Sequence, residues 1–380
     1  MQNEFLQMPQ SINESRIVKA EIITPLHVGD ASEKLLKRGI DYFYLDENLY
    51  FVKFNDLLKA ASEKNVRMDT ISNLLASNNS NELQKYLFTT LKLDIRELSY
   101  NIIENYGENP GNEIRPLIQT NGKPFIPGSS IKGAIRSILF NYLYYKVDER
   151  DLGVDDYQLE RALLGNFDQS IMRFIRVSDS DTLTFGDTGV FKIELFNLYA
   201  KTKNWASDWK ENFKIFAECF YPETKIQFKL SLASNLVKAL ENKYVSSEQL
   251  PKNIKAVFSD NTFETLTLII NNYTRKHLEL EIEFFKKFNQ ANDSELIIEQ
   301  LENLLIHTID TKSCLMRMAY GSGFYGITGD WRFRDHIETV FEPDNKNWVY
   351  SRTNGRKEPA HYKSRRIAGN DLLGFIKLTF

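Results

Sequence analysis

Phe125 to Phe140 reads FIPGSSIKGAIRSILF and gathers glycines, hydroxyls and cations at the start of a helical pattern. Gly128 and Gly133 match GxxxxG, half of a P-loop. However, Ala134 and Ile135 stand where that loop needs Lys and Ser/Thr to hold phosphates and magnesium, which argues against nucleotide hydrolysis. What remains is anion binding. Helix-start N–H groups, the hydroxyls of Ser129 and Ser130, and the cations Lys132 and Arg136 suit a nucleic-acid backbone phosphate. The same residues also suit a capped core helix with a solvated basic face.

Met316 to Arg334, MRMAYGSGFYGITGDWRFR, is the second such stretch. Gly321, Gly323, Gly326 and Gly329, with Ser322 among them, let backbone approach a ligand closely. Phe324 and Tyr325 can stack on bases, and Arg317, Arg332 and Arg334 can meet phosphates. The strand–helix context of a dinucleotide fingerprint is missing. A tight glycine turn with its aromatics in the core is the plainer reading. The third stretch, Lys346 to Arg366, holds seven Lys/Arg (including Arg356, Lys357, Arg365 and Arg366) against the single acid Glu358. Trp348, Tyr350 and Tyr362 are interleaved, a pattern that reads as a nucleic-acid contact or as a solvated loop.

Residues for catalysis are sparse. The five histidines form no HxxxH or HxH pair, so no local zinc site is expected, and no GxSxG elbow occurs. His27, in TPLHVGD after a strand, can serve as a general base toward a ribose 2′-hydroxyl, or as a structural or binding contact. Asp30, Asp179 and Asp181 are conceivable metal ligands, but SDSD around Ser180 is ordinary turn chemistry. No cofactor is implied.

The elements that must position these residues follow from the wider pattern. The 380 residues are 42% hydrophobic and 26% charged, which excludes wholesale disorder. A net charge of −3 excludes a uniformly basic wrapper but not a basic patch. Cys219 and Cys314 are expected as reduced thiols. MQNEFLQMPQ lacks a signal-peptide pattern, and no apolar run approaches the ~18–20 residues of a membrane span, so a cytoplasmic protein is expected.

Strands are expected near 15–23, as a hairpin (DYFYL and LYFV around Asp46 to Asn48), and at 172–180, 190–196, 225–234 and 374–380. Helical spacing governs 55–100 and 236–307, where Glu279, Glu281, Glu283, Glu295, Glu299 and Glu302 suggest a solvated acidic surface. A loop is expected over 101–127. Ile131, Ala134, Ile135, Ile138, Leu139, Tyr142 and Leu143 make one apolar stripe, so a helix capped by Ser129 or Ser130 should run from there. An α+β core with two helical insertions accounts for this order better than tandem domains.

TPLHVGD, KPFIPGSSIKGAIRS, RVSDS and AYGSGFYGITG, in that order before a closing GFIKL, resemble the RAMP superfamily of CRISPR proteins. Within it they are similar to the fifth, filament-capping subunit of the Csm group of type III-A effector complexes. The resemblance implies a ferredoxin-like (RRM-like) core: 1–55 and 109–235 would be core, 56–108 and 236–307 helical insertions, and 308–380 the glycine-rich loop, basic segment and closing strand. It implies a non-catalytic subunit that binds CRISPR RNA, contacts other effector subunits and maturation nucleases, and serves RNA maturation and antiviral defence. RNA contact carries over to His27, to Gly128, Ser129, Ser130, Lys132 and Arg136, and to Gly321, Ser322, Gly323, Gly326 and Gly329. A processing endonuclease using His27 is the alternative. RNA is expected where the late glycines meet the lysine-bearing helix start.

Overall fold

The computed structural model describes residues 12–30, 34–77, 79–104, 106–146, 156–197, 214–241, 254–258, 261–287, 294–323, 326, 349–353, 356–360 and 364–380. Phe324, Tyr325 and Arg332 lie outside these, as do the side chains of Arg356 and Lys357.

Alternation decides the main sheet. In Lys225–Leu232 the residues Ile226, Phe228, Leu230 and Leu232 are buried, while Lys225, Gln227 and Lys229 are exposed. Glu14–Ile22 pairs antiparallel with it, setting Val18 opposite Phe228 and Ala20 opposite Ile226. Across the sheet the order is Ser313–Arg317, Phe375–Thr379, Glu14–Ile22, Lys225–Leu232, Ile175–Val177. The apolar closing strand is therefore interior, with Ile376 and Leu378 fully buried.

Helices Gly128–Tyr144 and Thr262–Lys287 cover one face, sharing a core of Val18, Ala20, Ile22, Phe228, Ile131, Ile135, Leu139, Leu266 and Ile270. Helix Ser294–Ile306 returns antiparallel to its predecessor's far half and closes one end of the opposite face over Leu315 and Phe375. Among the described residues nothing covers the rest of that face, and Ile17 there is 59% exposed.

A second sheet has the order Ile215–Phe220, Thr188–Asn197, Ser364–Ala368, Asp371–Leu372. The hairpin is Tyr42–Leu45 with Asn48–Val52. Asp46 and Glu47 both take positive φ (47° and 61°), as a two-residue primed turn requires. Helices Phe54–Glu63, Met68–Ala76 and Ser80–Gln84 bury Leu57, Ile71 and Leu83 against Phe43 and Tyr50. Cys219 and Cys314 are buried, unbridged thiols. No helix among the described residues is long and apolar enough to cross a membrane.

Four expectations are corrected. Ser99–Ile103 is a third strand beside the hairpin, so the loop begins later than 101. The 172–180 strand shrinks to Ile175–Val177, because Ile171–Phe174 forms a 3-10 turn. Strands Ile215–Phe220 and Ser313–Arg317 were not anticipated. Glu281 is not solvated but buried.

Candidate functional site

The motif helix begins at Gly128 behind Pro127, and neither serine caps it. The cap comes from another element. Asp179 Oδ1 accepts from the Gly128 N–H at 2.8 Å, while the Ser180 hydroxyl accepts from the Ile126 N–H at 2.9 Å. A Cβ at Gly128 would stand 2.4 Å from the Val177 carbonyl oxygen, so only glycine fits this crossing of helix and strand. The first N–H of the helix is thus taken by a carboxylate, which corrects the expectation of an anion site there. Ser129 is exposed and Ser130 half-buried.

Lys132 and Arg136 follow Gly128 at four-residue steps and open on a cleft of about 940 Å³, walled also by Glu160, Arg161, Asn166, Asp168 and Arg173. Arg136 pairs with Glu160 at the surface. Partial burial, then the neighbouring charge of Arg176, holds the Lys132 amine below its ordinary pKa. Among the described residues, Gly321, Gly323 and Gly326 do not line this cleft, and Gly329 lies outside the described residues. Ser322 and Gly326 instead border a small cavity against Ile138, further along the same helix. The expected convergence of late glycines with Lys132 is therefore not what the fold builds.

Those glycines pack around the turn that follows Ser313–Arg317. Gly321 and Gly323 take φ of +80° and +73°. Gly321, Gly323 and Gly326 have the GxGxxG order, but the strand before them edges an antiparallel sheet, not a βαβ unit. Arg317 fastens the turn by donating to Leu373 O (2.9 Å) and Gly321 O (3.0 Å). Its guanidinium lies 5.2 Å from the Phe375 ring centroid, and burial pushes its pKa down to about 10. Arg365 turns inward as well. Its Nε donates to Glu281 Oε2 at 2.7 Å, with both side chains nearly inaccessible, and its guanidinium stacks 3.8 Å over Phe284. Arg317 and Arg365, expected to meet RNA, hold the fold together in this structure.

TPLHVGD is pinned on both sides. Leu26 bridges Phe220, Gly29 bridges Leu117, and Tyr320 N–H donates to His27 O at 3.2 Å. The His27 ring is 3% exposed and donates from Nδ1 to the Glu218 carbonyl at 2.6 Å; its Nε2 faces Gly29. Burial lowers its pKa, the hydrogen bond opposes this, and the Arg115 charge lowers it further, so the environment favours the neutral ring. His27 is therefore not placed to touch a ligand, which corrects that assignment. It supports what lies above it. The Tyr320 ring packs edge-on at 5.5 Å, and the guanidiniums of Arg115 and Arg366 sit 5.7 and 4.9 Å from the Tyr320 centroid. Tyr320 and Arg366 are half-buried and Arg115 is exposed.

Two guanidiniums held over one aromatic ring, beside a glycine turn, offer phosphate partners and planar cations on which a base can stack. Arg366 was expected from the sequence. Arg115 and Tyr320 were not, since nothing local marks a lone arginine in a loop or a tyrosine just before Gly321. Below them Glu218 is buried, accepting from the Leu117 N–H at 2.9 Å, and burial pushes its pKa up to about 7. Among the described residues no cluster of three His, Cys, Asp or Glu side chains suits a metal ion.

A family model for the RAMP superfamily matches residues 19–333. Two curated relatives carry the name "CRISPR system Cms protein Csm5". The one from Methanocaldococcus jannaschii is 26% identical over 331 residues, 82% of this chain and 72% of that protein. The one from Streptococcus thermophilus is 27% identical over 273 residues, 65% of this chain and 71% of that protein. A chain from a cryo-EM Csm–crRNA–target RNA ternary complex of a type III-A CRISPR-Cas system superposes with a TM-score of 0.68, covering 95% of this chain and 99% of its own, at 17% identity. The crystal structure of T. onnurineus Csm5 gives 0.63, covering 94% and 99%, at 18% identity. At these identities the structural likeness speaks for the fold.

Proposed function

Because the chain belongs to the RAMP superfamily, we propose that it is a Csm5-like subunit of a type III-A effector complex that binds CRISPR RNA without cutting it. It would cap the 3′-end side of the backbone filament, touch neighbouring subunits and maturation nucleases, and serve RNA maturation and antiviral defence in the cytoplasm. Similarity to two Csm5 proteins over most of their lengths supports the assignment.

The sheet order supports a ferredoxin-like core. Phe375–Thr379, Glu14–Ile22, Lys225–Leu232 and Ile175–Val177 stand as strands 4-1-3-2, with Gly128–Tyr144 and Thr262–Lys287 as the two helices on one face. Ser313–Arg317 is an added edge strand. In this reading 1–55 and 109–235 belong to the core and 56–108 is a helical insertion; 236–307 is an insertion only outside Thr262–Lys287, which serves as the second core helix, and 308–380 brings the glycine turn, the basic segment and the closing strand. A non-catalytic role is supported by His27, whose buried, hydrogen-bonded ring is poorly placed to reach a 2′-hydroxyl.

The observation that carries RNA binding is Tyr320 between Arg115 and Arg366. Base stacking on an aromatic contributes about 1–3 kcal/mol. Tyr320→Ala should therefore weaken binding of CRISPR RNA by roughly 5- to 150-fold in fluorescence anisotropy, with the circular dichroism spectrum preserved. Unchanged affinity would remove this ring from the RNA path.

A further inference from the structure

On the uncovered face of the main sheet, pairing registers fix which side chains are neighbours. Arg176 is opposite Ser231; Lys229, two residues back on the same strand, is opposite Ile17. Lys19, two residues on, is opposite Thr379, and Lys377 lies two residues back from that. Each move crosses one strand and advances two residues in the same direction, so Arg176, Lys229, Lys19 and Lys377 form one straight diagonal. Neighbouring strands lie about 4.8 Å apart and two residues span about 6.7 Å, so each step is about 8 Å and the row about 25 Å long.

Arg176, Lys229 and Lys19 are exposed and Lys377 half-buried, and none of the four is in an ion pair among the described residues. Lys225, also exposed, flanks the row; at the Lys377 end Glu21 stands opposite both Lys377 and Lys225, and Asp310 lies close enough to feel the Lys377 charge. The row does not stop at the sheet edge. The crossing of Gly128 against Val177 and Ser178 brings the motif helix onto the Arg176 strand. One turn along that helix Lys132 opens the cleft with Arg136, Arg161 and Arg173, four cations against the two acids Glu160 and Asp168, with Glu160 paired to Arg136.

We infer that this is a second nucleic-acid path: a single RNA strand runs from the Lys132 cleft over Arg176 and diagonally across the open sheet face to Lys377, held by its phosphates and not by its bases. Evenly stepped cations match a polyanion whose charges repeat along its length. Ile17 is the exposed apolar residue beside the row, Leu315 opposite Lys377 being buried under helix Ser294–Ile306, so this surface binds without reading sequence. The inference rests on the proposed function only for the choice of RNA as the polymer.

The test is the salt dependence of uridine-homopolymer binding by the full chain. Each phosphate contact contributes about −0.7 to the slope of log affinity against log salt. Lys19→Glu/Lys229→Glu should make that slope shallower by about 1.4 and lower low-salt affinity at least tenfold. Lys19→Gln/Lys229→Gln should flatten it equally, which guards against a folding defect in the charge-reversed variant. Tyr320→Ala should weaken binding at unchanged slope. Wild-type slope and affinity in both double variants, with Tyr320→Ala still weakened, would overturn this path, assign the charge to an acidic protein neighbour and leave the proposed function standing. Absence of RNA binding by the wild-type chain would overturn both.

Discussion

Glu281→Ala should destabilise the protein by about 3–5 kcal/mol, the usual cost of stranding a buried charge. Glu281 is 4% exposed and Arg365 6%, and their 2.7 Å contact sits behind the glycine turn. The same carboxylate also favours the charged form of the buried Arg317 guanidinium, so its loss leaves two cations facing one another in a desolvated space. Urea unfolding should show a lower midpoint at unchanged slope. Replacing the pair together, Glu281→Leu with Arg365→Met, should restore only part of the loss, because it removes one stranded charge and leaves Arg317 without its carboxylate. A loss below about 1 kcal/mol in the single variant would mean that water reaches this space. The consequence extends to function: Arg317 holds the carbonyls of Gly321 and Leu373, and Gly321 follows Tyr320.

Glu218→Gln is the second large effect, and its signature is pH dependence. The folded pKa of Glu218 is raised to about 7 from an ordinary 4.5 by burial, against a smaller opposing hydrogen bond from Leu117. A raised acid favours folding only while protonated. Its contribution is complete below pH 4.5 and is lost as pH climbs through 7. Over that interval wild type forfeits about 3 kcal/mol that a glutamine, still able to accept from Leu117, does not. The stability difference between variant and wild type should therefore move by about 3 kcal/mol in the variant's favour from pH 4 to pH 8.5. His27, whose lowered pKa costs stability as pH falls below about 6.5, is common to both proteins and cancels in the difference. A pH-independent difference would place Glu218 in contact with water.

Much of the fold is legible because periodicity is local information. The alternation in Lys225–Leu232 and the stripe from Ile131 to Leu143 state which face is wet before any partner is known. Asp179 and Ser180 were readable as turn chemistry, though not as the cap for a helix some fifty residues earlier, since that needs the crossing of Gly128 against Val177. Glu281 misled for the same reason: an acid among acids on a helix reads as solvated until the fold brings Arg365 to it.

The candidate site was legible only in part. Arg366 and the late glycines announce themselves by type and clustering. Tyr320 and Arg115 gain meaning through strand pairings between residues about a hundred apart, such as Arg115 with Ala217. His27 was noticed as chemistry and turned out to be a support, because burial is a property of the assembled sheet. The diagonal of Arg176, Lys229, Lys19 and Lys377 is invisible in sequence, since it exists only once the registers of four strands are fixed.

Ultraviolet crosslinking of the effector complex, purified with its CRISPR RNA and mapped by mass spectrometry, bears most directly on the idea that this chain grips RNA at a tyrosine set between two arginines. A nucleotide adduct on the peptide carrying Tyr320, lost in the Tyr320→Leu complex while the subunit remains incorporated, is the result expected. An incorporated subunit whose adducts all fall elsewhere, with Tyr320 unmodified, would contradict it.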